Sequence, residues 1–309
     1  MIPHDQRRYE KINVKLLELE NVQEIPVREI GFSPCDGYAV HGEIPKDYTP
    51  FNGYWYCKID EHAWFCFEPI YPIISEKQTL FLKVDTGAEG WDAANPQAML
   101  FYDGKAVRAM DVNHAMVKFP QGVKKVDAYM YSGTMKPETE KTDNRPLTFT
   151  ASFIVRDDRV HALQTKIYVL IDILQCLGDE ETDRAVISET LRLAVNELDF
   201  TQPYSKAFYD SIERAEAVLA TRAKDDAHKP TSWAIGHTHI DYAWFWTKKQ
   251  TKEKVLRSFG TVLSLLEEYP SYRFMSSQAA LYQDIKDQDS EMYAKIKKAV
   301  ASGRWEAEG

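Results

Sequence analysis

The sequence predicts a multidomain α+β protein with a β-sandwich-like domain, a helical region and the first βα units of a parallel, barrel-like α/β domain. Short runs of β-branched and aromatic residues, separated by turn residues, fill positions 25–158. Apolar residues at helical spacing follow over 159–230, and strand and helix patterns alternate over 231–309. Because too few βα units follow to close a sheet or a barrel, we expect the α/β domain to be truncated.

The composition and charge of the chain indicate which partners and which cell compartment the protein fits. The chain has 309 residues and a formal charge of −9, which argues against a nucleic-acid or anionic-membrane partner. The first twenty residues lack an apolar signal-peptide core, and the apolar run Ile167–Leu174 is interrupted by Asp172. These features predict a cytoplasmic protein. The chain has four cysteines, Cys35, Cys57, Cys66 and Cys176, and none has C-x-x-C spacing. Reduced thiols are therefore favoured, and a Cys57–Cys66 disulfide stays open as the alternative.

The first two predicted segments are an amino-terminal helix over 1–24 and the β domain over 25–158. Helical spacing of apolar residues, from Tyr9 to Leu19, predicts the helix. In the β domain, Asp103-Gly104 separates two apolar runs and predicts a hairpin. This domain contains three tryptophans, Trp55, Trp64 and Trp91. They fit either a sugar-stacking platform or core packing, and core packing is favoured.

The helical region, over 159–230, is predicted to hold three helices and a linker. An apolar face from Leu163 to Leu174 forms the first helix, which Gly178 ends. The second carries Val186 to Leu198, and the third is predicted to start at Thr201, with Pro203 just inside it. The polar stretch 222–231 is predicted to be a linker into the next domain.

The final segment, 231–309, is predicted to alternate strand and helix. Strands are expected at Trp233–Ile235, Tyr272–Ser276 and Arg304–Glu308. The first intervening helix covers 249–269, has a buried face from Val255 to Leu266 and is closed by Pro270. Two helical pieces, Leu281–Ile285 and Met292–Val300, precede the last strand.

A histidine and aspartate motif follows the first of these strands. His237, His239 and Asp241 stand at every second position, so an extended chain would project them to one side. Imidazole and carboxylate suit a divalent metal such as zinc. The spacing alone is not diagnostic, because an H-x-H-x-D stretch is as often structural. The neighbouring aromatic residues are more often core than a sugar platform: Trp244, Phe245 and Trp246.

The stretch Gly236-His-Thr-His-Ile-Asp-Tyr-Ala-Trp244 resembles the signature that opens the catalytic domain of family 38 α-mannosidases. Further stretches are similar, in the family's order: Arg257-Ser-Phe, Leu266-Glu-Glu-Tyr-Pro270, Arg273-Phe, Ser277-Gln-Ala279 and Gly303-Arg-Trp-Glu306. The resemblance is specific over 233–309. The β domain and helices before it resemble the cytosolic, amino-terminally extended branch of the family.

The resemblance implies roles for individual residues. His239 and Asp241 correspond to two ligands of a catalytic zinc, and Trp244 to the ring that stacks beneath the bound mannose. His237 is expected to support the ligands rather than bind the metal. The family's other ligands are a histidine and the aspartate nucleophile; these and the acid/base carboxylate have no counterpart here and are expected beyond Gly309. Glu306 and Glu308 are interpreted as ordinary strand residues.

The resemblance therefore implies a zinc-dependent retaining α-mannosidase acting on mannose-containing oligosaccharides. Retaining glycoside hydrolysis needs two carboxylates, so the 309 residues alone are expected to be inactive. The sequence does not predict which mannosidic linkage is cleaved, and it neither predicts nor excludes a homo-oligomer. Two alternatives remain: an amidohydrolase-like metal hydrolase, disfavoured by the long segment before the motif, and a non-catalytic carbohydrate-binding or oligomerisation module over 25–155.

Overall fold

The computed structural model describes residues 3–35, 44–56, 61–87, 96–133, 146–178, 181–221, 232–244 and 246–307. Its helices are α1 Pro3–Glu20, α2 Asp158–Cys176, α3 Thr182–Asn196, α4 Lys206–Ala220, α5 Lys248–Glu268, α6 Ala279–Gln288 and α7 Ser290–Ala301. Within the described ranges, no helix contains an 18-residue stretch apolar enough to cross a bilayer.

The strands are short and concentrated before residue 158. They are β1 Asn21–Pro26, β2 Gly31–Cys35, β3 Thr49–Pro50, β4 Trp55–Tyr56, β5 His62–Phe67, β6 Gln78–Asp85, β7 Gln97–Tyr102, β8 Lys105–Asp111, β9 Met116–Lys118, β10 Val126–Tyr131, β11 Pro146–Leu147, β12 Thr150–Asp157, β13 Gly236–His237, β14 Phe274–Met275 and β15 Trp305–Glu306. Helices and antiparallel sheets thus coexist, as the predicted α+β class requires.

The chain folds into two compact units, each assembled from separate stretches. The first contains Met1–Glu24, Pro72–Phe81 and Ile154–Thr231; the second contains Ile25–Tyr71, Leu82–Phe153 and Ser232–Gly309. The second unit therefore includes most of the β strands together with the segment that carries the motif. The linear domain boundaries after residues 24, 158 and 230 stay a prediction about independently folding parts.

The first unit has a helical core. Buried residues of α1, α2, α3 and α4 form one cluster, and those of α2 recur at the predicted spacing: Val160, Leu163, Ile167, Ile171 and Leu174. The predicted start of the third helix of this region is wrong. Its helix, α4, begins at Lys206 with Ser205 as N-cap, whose hydroxyl accepts from Phe208 N. Thr201 instead donates to Asp199 Oδ1, and Tyr204 has φ 65°, which breaks a helical path.

A six-stranded antiparallel sheet dominates the second unit, in the order β3-β2-β5-β10-β7-β8. Both faces of its central strands are buried. Phe67 of β5 lies near Phe153 of β12, in the same unit, with ring centroids 6.4 Å apart; β12 belongs to a four-stranded sheet of order β1-β12-β6-β9. Trp55 and Trp64 are buried, which confirms core packing for these two tryptophans. Trp91 and Cys57 lie outside the described residues.

The predicted hairpin at Asp103-Gly104 is confirmed. β7 and β8 pair up to Tyr102 and Lys105, and the two turn residues have φ of 48° and 83°. Positive φ at both central positions is typical of a type I′ turn, whose twist matches that of the strands. Asp103 Oδ1 also accepts hydrogen bonds from the backbone N–H groups of Lys124 and Lys125, each at 3.0 Å.

The carboxyl-terminal part has the predicted alternation of strand and helix. β13, β14 and β15 pair in parallel, with α5 between the first two strands and α6 and α7 between the last two. The predicted location of the first strand is wrong. Pairing begins at Gly236, whose N–H donates to Arg273 O at 2.8 Å, so the apolar run 233–235 precedes the sheet and Trp233 is 84% exposed.

Helix α5 is buried on two sides. Its apolar side joins the core of the α/β segment, which includes Phe259, Phe274 and Trp305. Its other side contacts the six-stranded sheet: Ala109 N of β8 donates to Thr261 Oγ1 at 3.0 Å. A Cβ on Gly260 would lie 3.1 Å from Met99 Cε of β7, so glycine permits this close approach. The β sheet thereby positions the helix that follows the motif.

Candidate functional site

The motif starts at a strand position where any residue larger than glycine would clash with a neighbouring ring. A Cβ on Gly236 would lie 2.1 Å from the hydroxyl oxygen of Tyr272 and 2.6 Å from its Cζ. Tyr272 packs against the α/β core. Gly236 thus lets β13 pair with β14 directly beside this ring, and His237 follows at the carboxyl end of β13. The close approach places the next residues at the edge where parallel sheets bind ligands.

His239 and Asp241 lie together beyond that edge. His239 Nε2 and Asp241 Oδ1 are 3.1 Å apart, and the side chains are 76% and 42% exposed. A tetrahedral ion with bonds of about 2.0–2.2 Å holds two neighbouring ligands about 3.3–3.6 Å apart. The two atoms lie at hydrogen-bonding distance, so a shift of a few tenths of an ångström would bring this nitrogen–oxygen donor set to the spacing of two ligands of one zinc ion. Across the described ranges, no group of three or more His, Cys, Asp or Glu side chains could hold a metal ion.

His237 has a different partner. Its Nδ1 lies 3.0 Å from the carbonyl oxygen of Met275 on β14. Because a carbonyl only accepts, Nδ1 carries the proton and the Nε2 lone pair points elsewhere. The histidine thus links the ends of β13 and β14, which agrees with the supporting role expected for it. That role and the metal roles of the motif stay predictions.

The backbone of the motif is held by side chains from α5 and from the N-cap of α6. Gln278 Nε2 donates to Ile240 O at 2.9 Å. Thr251 Oγ1, in the first turn of α5, donates to Tyr242 O at 2.5 Å and accepts from Trp246 Nε1 at 3.1 Å. The carbonyls on either side of Asp241 are therefore both anchored. Sequence reasoning gave neither residue a role: Gln278 lies in a stretch that resembles the family, but its contact with Ile240 O does not follow from that, and nothing in the local pattern connects Thr251 to the motif.

A buried carboxylate anchors the side chain of Tyr242. Burial raises the pKa of Tyr242, and the hydrogen bond that its hydroxyl donates to Asp284 raises it further. Asp284 is buried on α6, and Lys252 Nζ lies 3.9 Å from its Oδ1. At neutral pH, Tyr242 therefore stays a hydrogen-bond donor. This contact attaches the residue after Asp241 to a second helix.

Two tryptophans with different environments follow Tyr242. Trp244 is 63% exposed, so its ring is accessible for stacking, as the predicted sugar contact requires. Trp246 is partly buried, and Lys254 Nζ lies 4.3 Å from its ring centroid. Burial and the nearby Arg257 lower the pKa of Lys254 to about 8. Phe245 lies outside the described residues.

The glutamates near the carboxyl end match the expectation of ordinary strand residues where they are described. Glu306 is exposed on β15 opposite Met275, and its carbonyl oxygen accepts from Ser276 N at 3.0 Å. It therefore contributes backbone pairing to the sheet. Glu308 lies outside the described residues.

Comparison with known sequences identifies the segment that carries this geometry. The family model for the amino-terminal domain of glycosyl hydrolases family 38 matches residues 229–309. Residues 229–309 are therefore similar to the amino-terminal domain of family 38. The match contains the whole motif, the anchoring residues Thr251 and Gln278, and all three parallel strands. The amidohydrolase-like alternative, which was based on the H-x-H spacing, is therefore set aside.

Individual relatives of the chain carry the mannosidase name. Alpha-mannosidase G of Dictyostelium discoideum is 37% identical over 101 residues, covering 33% of this chain and 9% of that protein. Alpha-mannosidase 2C1 of Homo sapiens is 30% identical over 146 residues, covering 47% of this chain and 14% of that protein. The matched part of the chain thus spans less than a sixth of the length of either relative.

The similarity to solved structures is too low to compare folds. A structure of CBM51-2, in complex with GlcNAc, and INT domains from Clostridium perfringens ZmpB has a TM-score of 0.23 and 10% identity. The alignment covers 66% of this chain and 47% of that one.

Proposed function

We propose that the chain forms part of a zinc-dependent retaining α-mannosidase that removes terminal α-mannosyl residues from oligosaccharides, in the cytoplasm. The observation that carries the proposal is the His239–Asp241 pair, 3.1 Å apart, beside the exposed ring of Trp244 in a family 38 segment. The same proposal takes β13, β14 and β15 as the first strands of a barrel-like catalytic domain.

Each motif residue has a specific part in this function. His239 and Asp241 would hold the ion, which when bound supplies a Lewis acid for sugar hydroxyls. Trp244 presents a ring face on which the apolar face of a sugar can stack. Thr251 and Gln278 keep the backbone around Asp241 fixed, so the ligand atoms are arranged before substrate arrives. Preorganised ligands lower the cost of binding both the ion and the sugar.

The proposal includes the inactivity of these 309 residues by themselves. Retention requires a nucleophile and an acid/base carboxylate roughly 5 Å apart. The resemblance implies that the nucleophile also binds the zinc, whereas no third acidic, histidine or cysteine side chain joins His239 and Asp241 in the described part of the chain. Two ligands also bind zinc more weakly than four.

Zinc titration tests the metal site without relying on activity. We expect calorimetry to show weak binding that His239→Ala and Asp241→Ala each reduce by tenfold or more, on the order of the loss of one of two ligands. His114→Ala is the matched control, because His114 and Asp111 form a second exposed pair with Nδ1 and Oδ1 2.9 Å apart. Equal losses in all three variants would mean that zinc binds histidine unselectively and would contradict the assignment.

Hydrolysis of a chromogenic α-mannoside tests the reaction. The 309-residue chain and the longest product of its reading frame are assayed with added zinc and again after chelation. We expect hydrolysis only from the longer product, and its loss on chelation. Turnover by the 309 residues alone would refute the inactivity, and a longer product that is inactive on α-mannosides yet binds zinc would refute the substrate assignment.

A further inference from the structure

The six-stranded sheet and α5 share a buried polar cluster consisting of His62, Glu253 and Arg257. His62 Nε2 of β5 lies 3.0 Å from Glu253 Oε2 and 2.9 Å from Oε1, and the two side chains are 2% and 1% exposed. Arg257, one turn further along α5, donates from Nη1 to Glu253 Oε2 at 3.2 Å. All three belong to the second compact unit. A sheet and a helix thus meet through charge where apolar packing is the usual solution.

Aromatic rings of β10 fix the orientation of the histidine. The imidazole stacks on Tyr129 at 5.2 Å with an interplanar angle of 8°, and the ring of Tyr131 lies at the same distance on a 32° tilt. The guanidinium of Arg257 lies 5.8 Å from the centroid of Tyr131. Because both rings occupy the sheet face that meets α5, the imidazole reaches Glu253 from a defined direction.

Such a cluster is a costly way to gain stability. Removing charges from water offsets most of their attraction, and apolar replacements of a buried charge cluster are often neutral or stabilising. The best attested use of a buried polar pair is to specify one register among several. An aromatic sheet face offers a helix several registers, whereas His62 and Glu253 can meet in only one.

The register of α5 determines the position of the motif. Thr251, two residues before Glu253, holds Tyr242 O and Trp246 Nε1 through one hydroxyl. A shift of α5 by one turn would displace that hydroxyl by about 5.4 Å, well beyond hydrogen-bonding distance. Asp241 directly precedes Tyr242, and Trp244 lies between the two anchored residues, so both would lose their fixed positions.

We propose that His62 and Glu253 are positioning residues: their buried pair sets the register of α5 on the β sheet and thereby the geometry of the motif at Asp241 and Trp244. The inference that the pair affects metal and sugar binding rests on the proposed function. The inference that the pair orders the motif does not depend on that function. The β strands then belong to the working catalytic unit, in contrast to a module that binds glycans or forms oligomers independently.

Hydrogen exchange measured by mass spectrometry tests the inference on the full chain, in the peptide 238–247, where Trp244 N–H donates to Trp246 O at 3.3 Å. We expect Glu253→Gln to speed exchange there by about tenfold while peptides of β14 stay protected. Glu268→Gln is the matched control. Glu268 lies on the same helix and pairs with Arg108 of the same sheet at 3.2 Å, but fifteen residues away along α5. It should leave exchange over 238–247 unchanged.

A second variant separates positioning from stability. The combined variant His62→Phe, Glu253→Met and Arg257→Met removes every charge of the cluster at similar volume, and we expect it to recover stability against urea but not the protection of 238–247. Protection of that peptide at the unmodified level in the combined variant would overturn the inference. Equal effects of Glu253→Gln and Glu268→Gln would also overturn it, because any loosening of α5 would then suffice.

Zinc titration of the same variants links the inference to the site. Where His239→Ala shows that the motif binds zinc, Glu253→Gln and the combined variant should each weaken binding about tenfold, and Glu268→Gln should not. Unweakened binding in both would overturn the role of the pair in metal binding. If His239→Ala leaves zinc binding unchanged, the proposed function fails at its metal site, and the exchange over 238–247 still decides whether the pair positions the motif.

Discussion

Replacing Gly236 by alanine should destabilise the sheet that carries the motif. The new Cβ would lie 2.1 Å from Tyr272 Oη, 2.6 Å from Cζ and 2.8 Å from Cε2, whereas ordinary contacts begin at about 3.4 Å. The ring must therefore retreat by about 1 Å, or β13 must leave β14 and lose the 2.8 Å hydrogen bond from Gly236 N to Arg273 O. Overpacking of this kind costs about 1–3 kcal/mol of unfolding free energy.

Urea unfolding followed by tryptophan fluorescence measures this cost, with Trp305 as a buried reporter in the same sheet. In the Gly236→Ala background, Tyr272→Phe removes only the closest atom and should restore part of the lost stability. Tyr272→Ala should relieve the clash completely, so that a double-mutant cycle with Gly236→Ala gives a favourable coupling energy. Gly178→Ala is the control, since its Cβ meets only the flexible Glu181 carboxylate at 3.3 Å. A Gly236→Ala variant as stable as the parent, or no coupling with Tyr272, would refute the steric argument.

Four further predictions concern the scaffold. Asp157→Ala should lower the unfolding free energy by about 1–2 kcal/mol, because the carboxylate caps α2 and binds Arg159. Burial raises the pKa of Asp157, but hydrogen bonds from Arg159 and others outweigh it and hold the pKa below its usual value. This stabilisation is therefore present above about pH 4 and lost as pH falls through the folded pKa, so urea titrations of parent and variant should converge in acid. Lys254→Met should remove a rise in stability between pH 8 and about 10.5, because the folded lysine, with its pKa lowered to about 8, binds fewer protons than the unfolded one. Phe259→Ala should cost about 3–5 kcal/mol in thermal or urea unfolding, since the ring is fully buried against Trp305 at 5.0 Å. Gly104→Ala should cost about 1 kcal/mol from backbone strain alone, because φ is +83° and nothing lies within 4 Å of the new Cβ. Unchanged stability of Phe259→Ala would contradict the assigned packing, and unchanged stability of Gly104→Ala would contradict the assigned turn.

Features determined within a few residues of sequence were predictable. The apolar face of α2, the hairpin at Asp103-Gly104 and the helix–strand alternation after residue 232 follow from side-chain period and turn chemistry. The proximity of His239 and Asp241 agrees with the local spacing, whereas His237, at the same spacing, contacts Met275 O instead. Each of these depends on the geometry of one short segment.

Features that depend on a distant partner were not predictable. The apolar run 233–235 suggested a strand, but Arg273 O and the ring of Tyr272 select Gly236 as the first paired residue. Thr201 and Pro203 suggested a helix start, but the carboxylate of Asp199 binds Thr201 and Ser205 caps the helix instead. In both places the local signal was real, and a contact from elsewhere in the fold outweighed it.

The polar residues of α5 show this limit most clearly. Along one side of the helix, polar side chains recur at nearly helical spacing, the pattern expected of a solvated face: Gln250, Glu253, Arg257 and Thr261. Amphipathicity therefore predicts one buried side, from Val255 to Leu266, which the structure confirms. The pattern cannot distinguish a polar side that faces water from one that packs on a sheet. His62, 191 residues earlier in the chain, contacts Glu253 on this side, so only the tertiary structure shows that the β sheet covers the polar side of the helix that follows the motif.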